Sequence, residues 1–126
     1  MTINNHDAIS KALSHGGLVD ITTIGRKSGQ PHRIEIAYHN IGGKIYISGM
    51  PFPNRRGWLA NLDANPKFTF HLKRDVKADL PATARVVDAD AERREILPHI
   101  AEVWKRNDLE TMVEQSPLIE VTLDQN

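Results

Sequence analysis

LVDITTIGRKSGQPHRIEIAYHNIGGKIYIS, residues 18–48, indicates the fold class more clearly than the rest of the sequence. It holds three apolar runs, at 18–24, 32–38 and 44–48, which are rich in the β-branched and aromatic residues typical of strands. In the second run Ile34, Ile36 and Tyr38 fall on one face, as in a strand with one buried side. Short glycine-containing connections separate the runs, so we predict two consecutive hairpins.

The rest of the chain extends these hairpins into a small barrel. The apolar pattern predicts, in chain order, a helix ending at Gly16-Gly17, a two-turn helix ended by Asn65-Pro66, strands over 67–72 and 80–87, a helix capped by Asp88 or Asp90 and running to about Arg106, a helix over 109–114 and a strand over 118–123. Ala82, Ala84 and Val86 are small, as the interior of a curved sheet requires. About six strands in hairpin order, without a βαβ rhythm, favour a barrel over a Rossmann sheet.

Composition excludes several classes of function. The 126 residues carry 16 basic and 16 acidic side chains, and this balance argues against general nucleic-acid binding. The absence of cysteine removes disulfides, thiolate zinc sites and cysteine nucleophiles. No signal peptide or membrane span is evident in the sequence, so we expect a cytoplasmic protein with one domain over 1–126, of which 1–17 form a helical extension.

Metal and nucleophilic chemistry find little support in the sequence. The six histidines show no paired ligand spacing, so we predict no metal site. Ser28 and Ser48 lack the Gly-x-Ser-x-Gly elbow of a serine nucleophile. Any activity must therefore rest on other groups.

Two basic loops are the strongest candidates for a binding site. Gly25-Arg26-Lys27-Ser28-Gly29 sets two cations and a hydroxyl between two glycines, which suits a phosphate or carboxylate. The loop over 50–57 brings Asn54, Arg55 and Arg56 after the third strand, and together the loops predict a groove for a polyanion. Two structural alternatives stay open: the arginines pair with Asp63 or Asp75, and Trp58 anchors the core.

The order of these motifs resembles the deazaflavin-dependent nitroreductase family. The resemblance covers roughly residues 18–123, and its most specific pieces are Gly25-Arg26-Lys27-Ser28-Gly29 and the Trp-x-x-Asn-Leu-x-Ala-Asn-Pro stretch over 58–66. It implies a mainly β (α+β) fold, a six-stranded antiparallel split β-barrel with short N-terminal, middle and C-terminal helices. The same architecture occurs in flavin-binding pyridoxamine-phosphate oxidases.

The resemblance also implies coenzyme F420 as the cofactor. Hydride transfer from the reduced cofactor to a small hydrophobic electrophile, such as a quinone, an enone or a nitro compound, is the expected reaction, with no catalytic side chain required. Split barrels of this kind often pair, so a homodimer is expected. The implied cofactor-binding residues are Arg26, Lys27, Ser28, His32, Arg33, Ile47, Ser48, Gly49, Met50, Pro53, Asn54, Arg55, Arg56, Trp58 and Asn61.

The chain departs from the family pattern in two segments. Relatives often carry a Gly-Gly pair after the third strand, where this chain has Met50-Pro51-Phe52-Pro53. Nitro-drug reductases tend to carry tyrosines before the last strand, and residues 104–112 contain none. Two alternatives therefore stand beside the leading hypothesis: an FMN-binding split-barrel oxidoreductase, and a non-catalytic protein that binds a cofactor or lipid.

Overall fold

The computed structural model describes residues 5–124, and this range holds six strands and four helices. In chain order they are α1 (Asn5–His15), β1 (Gly17–Ile24), β2 (Pro31–Ile41), β3 (Lys44–Ser48), α2 (Gly57–Ala64), β4 (Lys67–Leu72), β5 (Ala78–Val86), α3 (Asp90–Trp104), α4 (Leu109–Gln115) and β6 (Leu118–Leu123). None of the helices in this range is long and apolar enough to cross a membrane.

The six strands close into a barrel in the order β1-β2-β3-β6-β5-β4, and every neighbouring pair is antiparallel. This confirms the predicted six-stranded antiparallel barrel. The expected hairpin order holds for β1-β2-β3 and for β4-β5, but β3 and β4 do not pair. The chain crosses between these two strands through α2, which packs against β1 and β5.

The barrel interior forms the larger of two hydrophobic cores. Val19, Ile21, Ile47 and Phe70 are fully buried there, and Leu59 and Leu62 of α2 join them. Ala82 and Ala84 on β5 are also buried in this core, as their size predicts. The strand alternation read from the sequence therefore fixes which side chains face inward.

A second core lies outside the barrel, beneath α3 and α4. Tyr46 of β3 and Leu118 of β6 point outward and pack with Leu97, Ile100 and Met112. Both faces of β3 and β6 are therefore covered at this side of the barrel, whereas the solvent-facing side of β2 carries Arg33 and Glu35.

The ends of α3 differ from the sequence prediction. Ala89 occupies the N-cap, so the expected cap by Asp88 or Asp90 is wrong; Asp90 instead accepts a hydrogen bond from Arg94 at 2.7 Å. The helix ends at Trp104 rather than Arg106, because Lys105 adopts the left-handed conformation with φ of 55°. Pro98 lies inside the helix.

Candidate functional site

The turn between β1 and β2 folds back on itself through its two glycines. The Gly25 N–H donates to the Gln30 carbonyl at 2.8 Å, and the Gly29 N–H donates to the Gly25 carbonyl at 2.9 Å. A Cβ at Gly25 would lie 2.5 Å from Ser28 Oγ and 2.8 Å from His32 Nε2. Glycine at this position therefore lets the Ser28 and His32 side chains close over the turn.

Asn61 of α2 fixes the turn to the helix. Its side-chain oxygen accepts hydrogen bonds from the Arg26 backbone N–H at 3.1 Å and from Arg26 Nη1 at 2.9 Å. Its amide nitrogen donates to the buried Thr23 hydroxyl at 3.1 Å. Asn61 is only 6% exposed, so these bonds form with little competition from water. The Arg26 guanidinium is thereby held at the edge of the turn.

The turn and the start of α2 enclose a groove of about 610 Å³, which we call the basic groove. Arg26, Lys27 and Arg56 bring three cationic side chains to it, and no acidic residue lines it. Within residues 5–124, none of the three forms an ion pair. The remaining lining residues are Thr23, Gly25, Ser28, His32, Ile34, Gly57, Trp58 and Asn61. The groove therefore has a positive potential in a chain whose formal net charge is zero.

Arg56 connects the basic groove to the loop after β3. Its guanidinium lies over the Phe52 ring, 4.4 Å from the centroid, and its Nη2 lies 3.4 Å from the Met50 carbonyl oxygen. These contacts place the guanidinium without neutralising its charge. Arg56 thus stays available to an anionic ligand.

Arg33, named from the sequence as a site residue, lies outside the basic groove. Strand alternation sends His32 and Ile34 to the groove side, so Arg33 faces the outer surface of the barrel. There its Nε donates to Asp20 at 2.9 Å. Lys73 binds Asp20 at 2.7 Å and also binds Glu35. Hydrogen bonds from Lys73 and then Arg33 lower the pKa of Asp20.

Pro53, Asn54 and Arg55 line a different space, a cleft of about 270 Å³ between the loop after β3 and the α3–α4 pair. Arg55 binds Asp63 with an Nη2–Oδ1 distance of 2.8 Å and lies 3.7 Å from Asp88. The hydrogen bond that Arg55 donates to Asp63 raises the pKa of Arg55. The predicted ion pair with Asp63 is therefore observed for Arg55. The other structural alternative is observed as well, because Trp58 is partly buried and packs against the barrel core.

At the end of β3, two of the predicted site residues have side chains that are already buried or hydrogen-bonded within the protein. Ile47 is fully buried inside the barrel, and Ser48 donates its hydroxyl proton to the Pro117 carbonyl at 2.6 Å. Gly49 packs on Pro117, where an added Cβ would come within 3.1 Å of Cγ. Met50 is 53% exposed. Segment 48–50 is therefore held against the residues that precede β6.

Thr23 is a lining residue that was not identified from the sequence. It stands opposite His32 in the β1–β2 register and is buried on the same strand face as Val19 and Ile21. The sequence did contain a signal for Thr23, since it places a hydroxyl at an inward-facing strand position beside a glycine turn. A buried hydroxyl there needs a hydrogen-bond partner. Its partner is Asn61, 38 residues away in the chain.

A family model described as F420H(2)-dependent quinone reductase matches residues 2–124. A solved F420-H2 dependent reductase is 23% identical, with a TM-score of 0.63, over 83% of this chain and 93% of that one. A conserved hypothetical protein of Mycobacterium tuberculosis is 17% identical, with a TM-score of 0.74, over 99% and 83%. A structure described as a domain-swapped dimer is 20% identical, with a TM-score of 0.62, over 94% and 96%. These likenesses confirm the split-barrel fold.

Proposed function

Since the chain belongs to the F420H(2)-dependent quinone reductase family, we propose that its basic groove holds the anionic part of coenzyme F420 and that its acceptor is a small hydrophobic quinone. Family membership makes the chain an F420-dependent oxidoreductase, as the sequence resemblance implied. The assignment of the cofactor to this groove rests on one observation: three cations line it and no acid does.

The chemistry of the groove fits the cofactor. Coenzyme F420 carries a phosphate and an oligoglutamate tail, and both need cationic or N–H donors. Arg26 is fixed by Asn61, while the Lys27 ammonium has no hydrogen-bond or ion-pair partner within residues 5–124. A fixed guanidinium supplies directional hydrogen bonds, and a mobile ammonium follows the charge of the tail. Ser28 adds a neutral hydroxyl to the lining of the groove.

The start of α2 adds to this field. Gly57 and Trp58 line the groove at the first turn of the helix, where backbone N–H groups lack partners within the helix. The partial positive charge there also favours an anion. Arg56, at the N-cap, lies between this turn and Met50. It therefore connects the groove proposed for the anionic part of the cofactor with the segment that follows β3.

When bound, the reduced deazaflavin supplies the hydride. The residues of the chain bind and orient it. We assign the ring side to the backbone of Ser48, Gly49 and Met50, because the hydroxyl of Ser48 is already engaged with Pro117. The exposed Met50 side chain offers a soft apolar contact to a hydrophobic acceptor. Precise placement of donor and acceptor is the rate-enhancing contribution expected from such a site.

Binding by tryptophan fluorescence tests the proposal directly, because Trp58 lines the groove and Trp104 does not. In a Trp104→Phe variant the signal comes from Trp58 alone. Titration with coenzyme F420 is expected to quench it at micromolar concentration, with FMN roughly tenfold weaker because FMN carries a single phosphate. A preference for FMN would contradict the proposal and favour a flavin enzyme.

Turnover separates a reductase from a binding protein. Reduced F420 and menadione, a small quinone, are mixed with the protein, and recovery of the oxidised cofactor absorbance is followed. We expect enzyme-dependent oxidation. Tight binding of F420 with no turnover on quinones, enones or nitro compounds would favour the non-catalytic alternative.

We also propose that two copies of the chain pair. The support is a structural neighbour described as a domain-swapped dimer, together with the tendency of this barrel to dimerise. Light scattering coupled to gel filtration tests it. A monomer mass across the accessible concentration range would contradict the proposal.

A further inference from the structure

Arg93 is a buried arginine that binds four backbone carbonyls. It lies on α3, is only 8% exposed, and donates from Nε to Val113 and from Nη1 to Val87, both at 2.9 Å. Its Nη2 donates to Met112 at 3.2 Å and to Ser116. Within residues 5–124 no carboxylate forms an ion pair with it.

Three of these carbonyls belong to the end of α4 and the residue after it. The last carbonyls of a helix lack intrahelical partners, although the Met112 carbonyl also accepts the Ser116 N–H at 2.9 Å, and the helix dipole makes this end partially negative. A buried guanidinium meets both needs at once. With only seven residues, α4 is too short to be stable by itself, so its position depends on such contacts.

The same turn supports the loop after β3. Ser48 Oγ donates to the Pro117 carbonyl at 2.6 Å, and the Phe52 backbone N–H donates to the Gln115 carbonyl at 3.1 Å. The Pro117 ring lies where a side chain at Gly49 would project, 3.1 Å from the position of its Cβ. Segment 48–52 is therefore attached by two hydrogen bonds to residues 115–117, and Arg93 holds Ser116 among these residues as well as Met112 and Val113 before them.

We propose that Arg93 is a positioning residue for the cofactor site, acting through residues 115–117 on segment 48–52. The inference rests on the proposed function, because this segment is the one assigned to the ring side of the cofactor. Phe52 extends the connection, since its ring carries the guanidinium of Arg56 at the edge of the basic groove. Arg93 itself lies on the far side of this loop and does not line the basic groove.

The test compares Arg93→Lys with Arg94→Met. Lysine keeps the charge at position 93, but a single nitrogen cannot reach four carbonyls in the geometry of a guanidinium. Arg94 is the matched control because it also joins α3 to α4, through Glu110 at 2.9 and 3.0 Å, yet it is exposed and does not bind these carbonyls.

The first measurement is amide hydrogen exchange of Phe52 without cofactor, with Ile47 in the barrel as the reference amide. We expect Phe52 exchange to rise about tenfold in Arg93→Lys and to stay unchanged in Arg94→Met. The second is a comparison of F420 affinity with kcat. Because the cations of the basic groove stay in place, affinity is expected to change less than about threefold while kcat falls roughly tenfold.

The outcomes are separable. Unchanged Phe52 exchange, or raised exchange with an unchanged kcat, would overturn the positioning role. Failure of the wild-type protein to bind F420 would reject the proposed function, and this is seen without any variant. If Arg93→Lys does not fold, Arg93→Gln takes its place, because its neutral amide avoids a buried charge and still cannot reach all four carbonyls. It must then raise Phe52 exchange and lower kcat, and failure to do so overturns the proposal.

Discussion

The basic groove and the outer surface of the barrel both concentrate cations, but they differ in what faces those cations. On the outer surface Arg33 and Lys73 share Asp20, and Arg85 binds Glu92 and Glu120. In the groove, Arg26 contacts an amide, and Arg56 contacts a carbonyl and an aromatic ring. The Lys27 ammonium has no hydrogen-bond or ion-pair partner within residues 5–124. The number of arginines and lysines is therefore a poor guide to an anion site, and we expect one where the cations lack nearby carboxylates.

The contrast extends to two adjacent arginines. Arg55 and Arg56 are neighbours in sequence, yet Arg55 pairs with Asp63 and Asp88 whereas Arg56 turns to Phe52 and the groove. A cation that already has a carboxylate partner loses part of that interaction when it binds a ligand. An unpaired cation has no such cost. Replacing Arg56 should therefore weaken the binding of an anionic ligand much more than replacing Arg55.

The largest effect is expected from Asn61→Ala, which removes the side chain that fixes the Gly25–Gly29 turn to α2. Three hydrogen bonds are lost and the buried Thr23 hydroxyl is left without its donor, so the free energy of unfolding should fall by about 3 kcal/mol. F420 affinity should fall as well, because Arg26 then keeps only its long hydrogen bond to the Gly57 carbonyl at 3.4 Å within residues 5–124. Urea unfolding and fluorescence titration measure the two effects.

Asn65→Ala is the matched control for this variant. Asn65 follows α2, and within residues 5–124 its side chain accepts a single hydrogen bond, from the Lys67 backbone N–H at 3.1 Å. Its loss should cost under about 1 kcal/mol. Equal destabilisation by the two variants would show that the hydrogen bonds of Asn61 to Arg26 and Thr23 do not stabilise the fold.

The second prediction sets Lys27→Ala against Arg55→Ala. Removing an unpaired ammonium that binds phosphate or carboxylate should weaken F420 binding by on the order of 1.5–3 kcal/mol. Removing Arg55, whose charge is already matched by two acids, should change affinity by under about 0.5 kcal/mol. Isothermal titration measures both. Similar losses of affinity in the two variants would contradict the expected difference between paired and unpaired cations.

Much of the barrel was predictable because strand alternation is a local property. Ile34, Ile36 and Tyr38 on β2, and Ala82 and Ala84 on β5, face the core as their spacing indicates. The cap of α3 was not predictable in this way. An aspartate near a helix start has several possible partners, and Asp90 bonds to Arg94 instead of to backbone N–H groups.

The candidate site was predictable only in part, because it is built from long-range contacts. Sequence reasoning selected the Gly25–Gly29 turn and Asn61, but the bonds between them cross 35 residues. It also placed His32 and Arg33 together, although consecutive strand residues point to opposite faces. The separation of Arg55 from Arg56 depends on Phe52 and Asp63, which no local pattern indicates.

Two buried histidines differ in the same way, because one has hydrogen-bond partners and the other does not. His39 and His71 are both 7% exposed, but His71 binds Thr22 and Asp79 at 2.7 and 2.6 Å, whereas His39 Nε2 has no hydrogen-bond partner within residues 5–124. Burial lowers the pKa of His39 from 6.5 to about 4. Between these values the unfolded chain binds the proton and the folded chain does not, so stability falls as the pH is lowered.

Urea unfolding at pH 7 and pH 5.5 measures this effect. His39 should contribute a loss of about 1 kcal/mol between these two pH values, and His39→Phe should remove that loss. The Trp104 ring, which meets His39 edge to face at 5.3 Å, gives the phenylalanine an aromatic contact. An unchanged pH dependence in His39→Phe would show that other groups control acid stability.

The smallest effect is expected from Arg33→Ala on the outer surface. Arg33 is 54% exposed in its side chain, and Asp20 keeps Lys73 as a partner at 2.7 Å after the change. No buried charge is left unpaired, so the free energy of unfolding should fall by under about 0.5 kcal/mol. F420 affinity should change less than about twofold, since the side chain faces away from the basic groove. A loss of affinity comparable to that of Lys27→Ala would mean that Arg33 reaches the cofactor, and that pairing with an acid does not exclude a cation from this site.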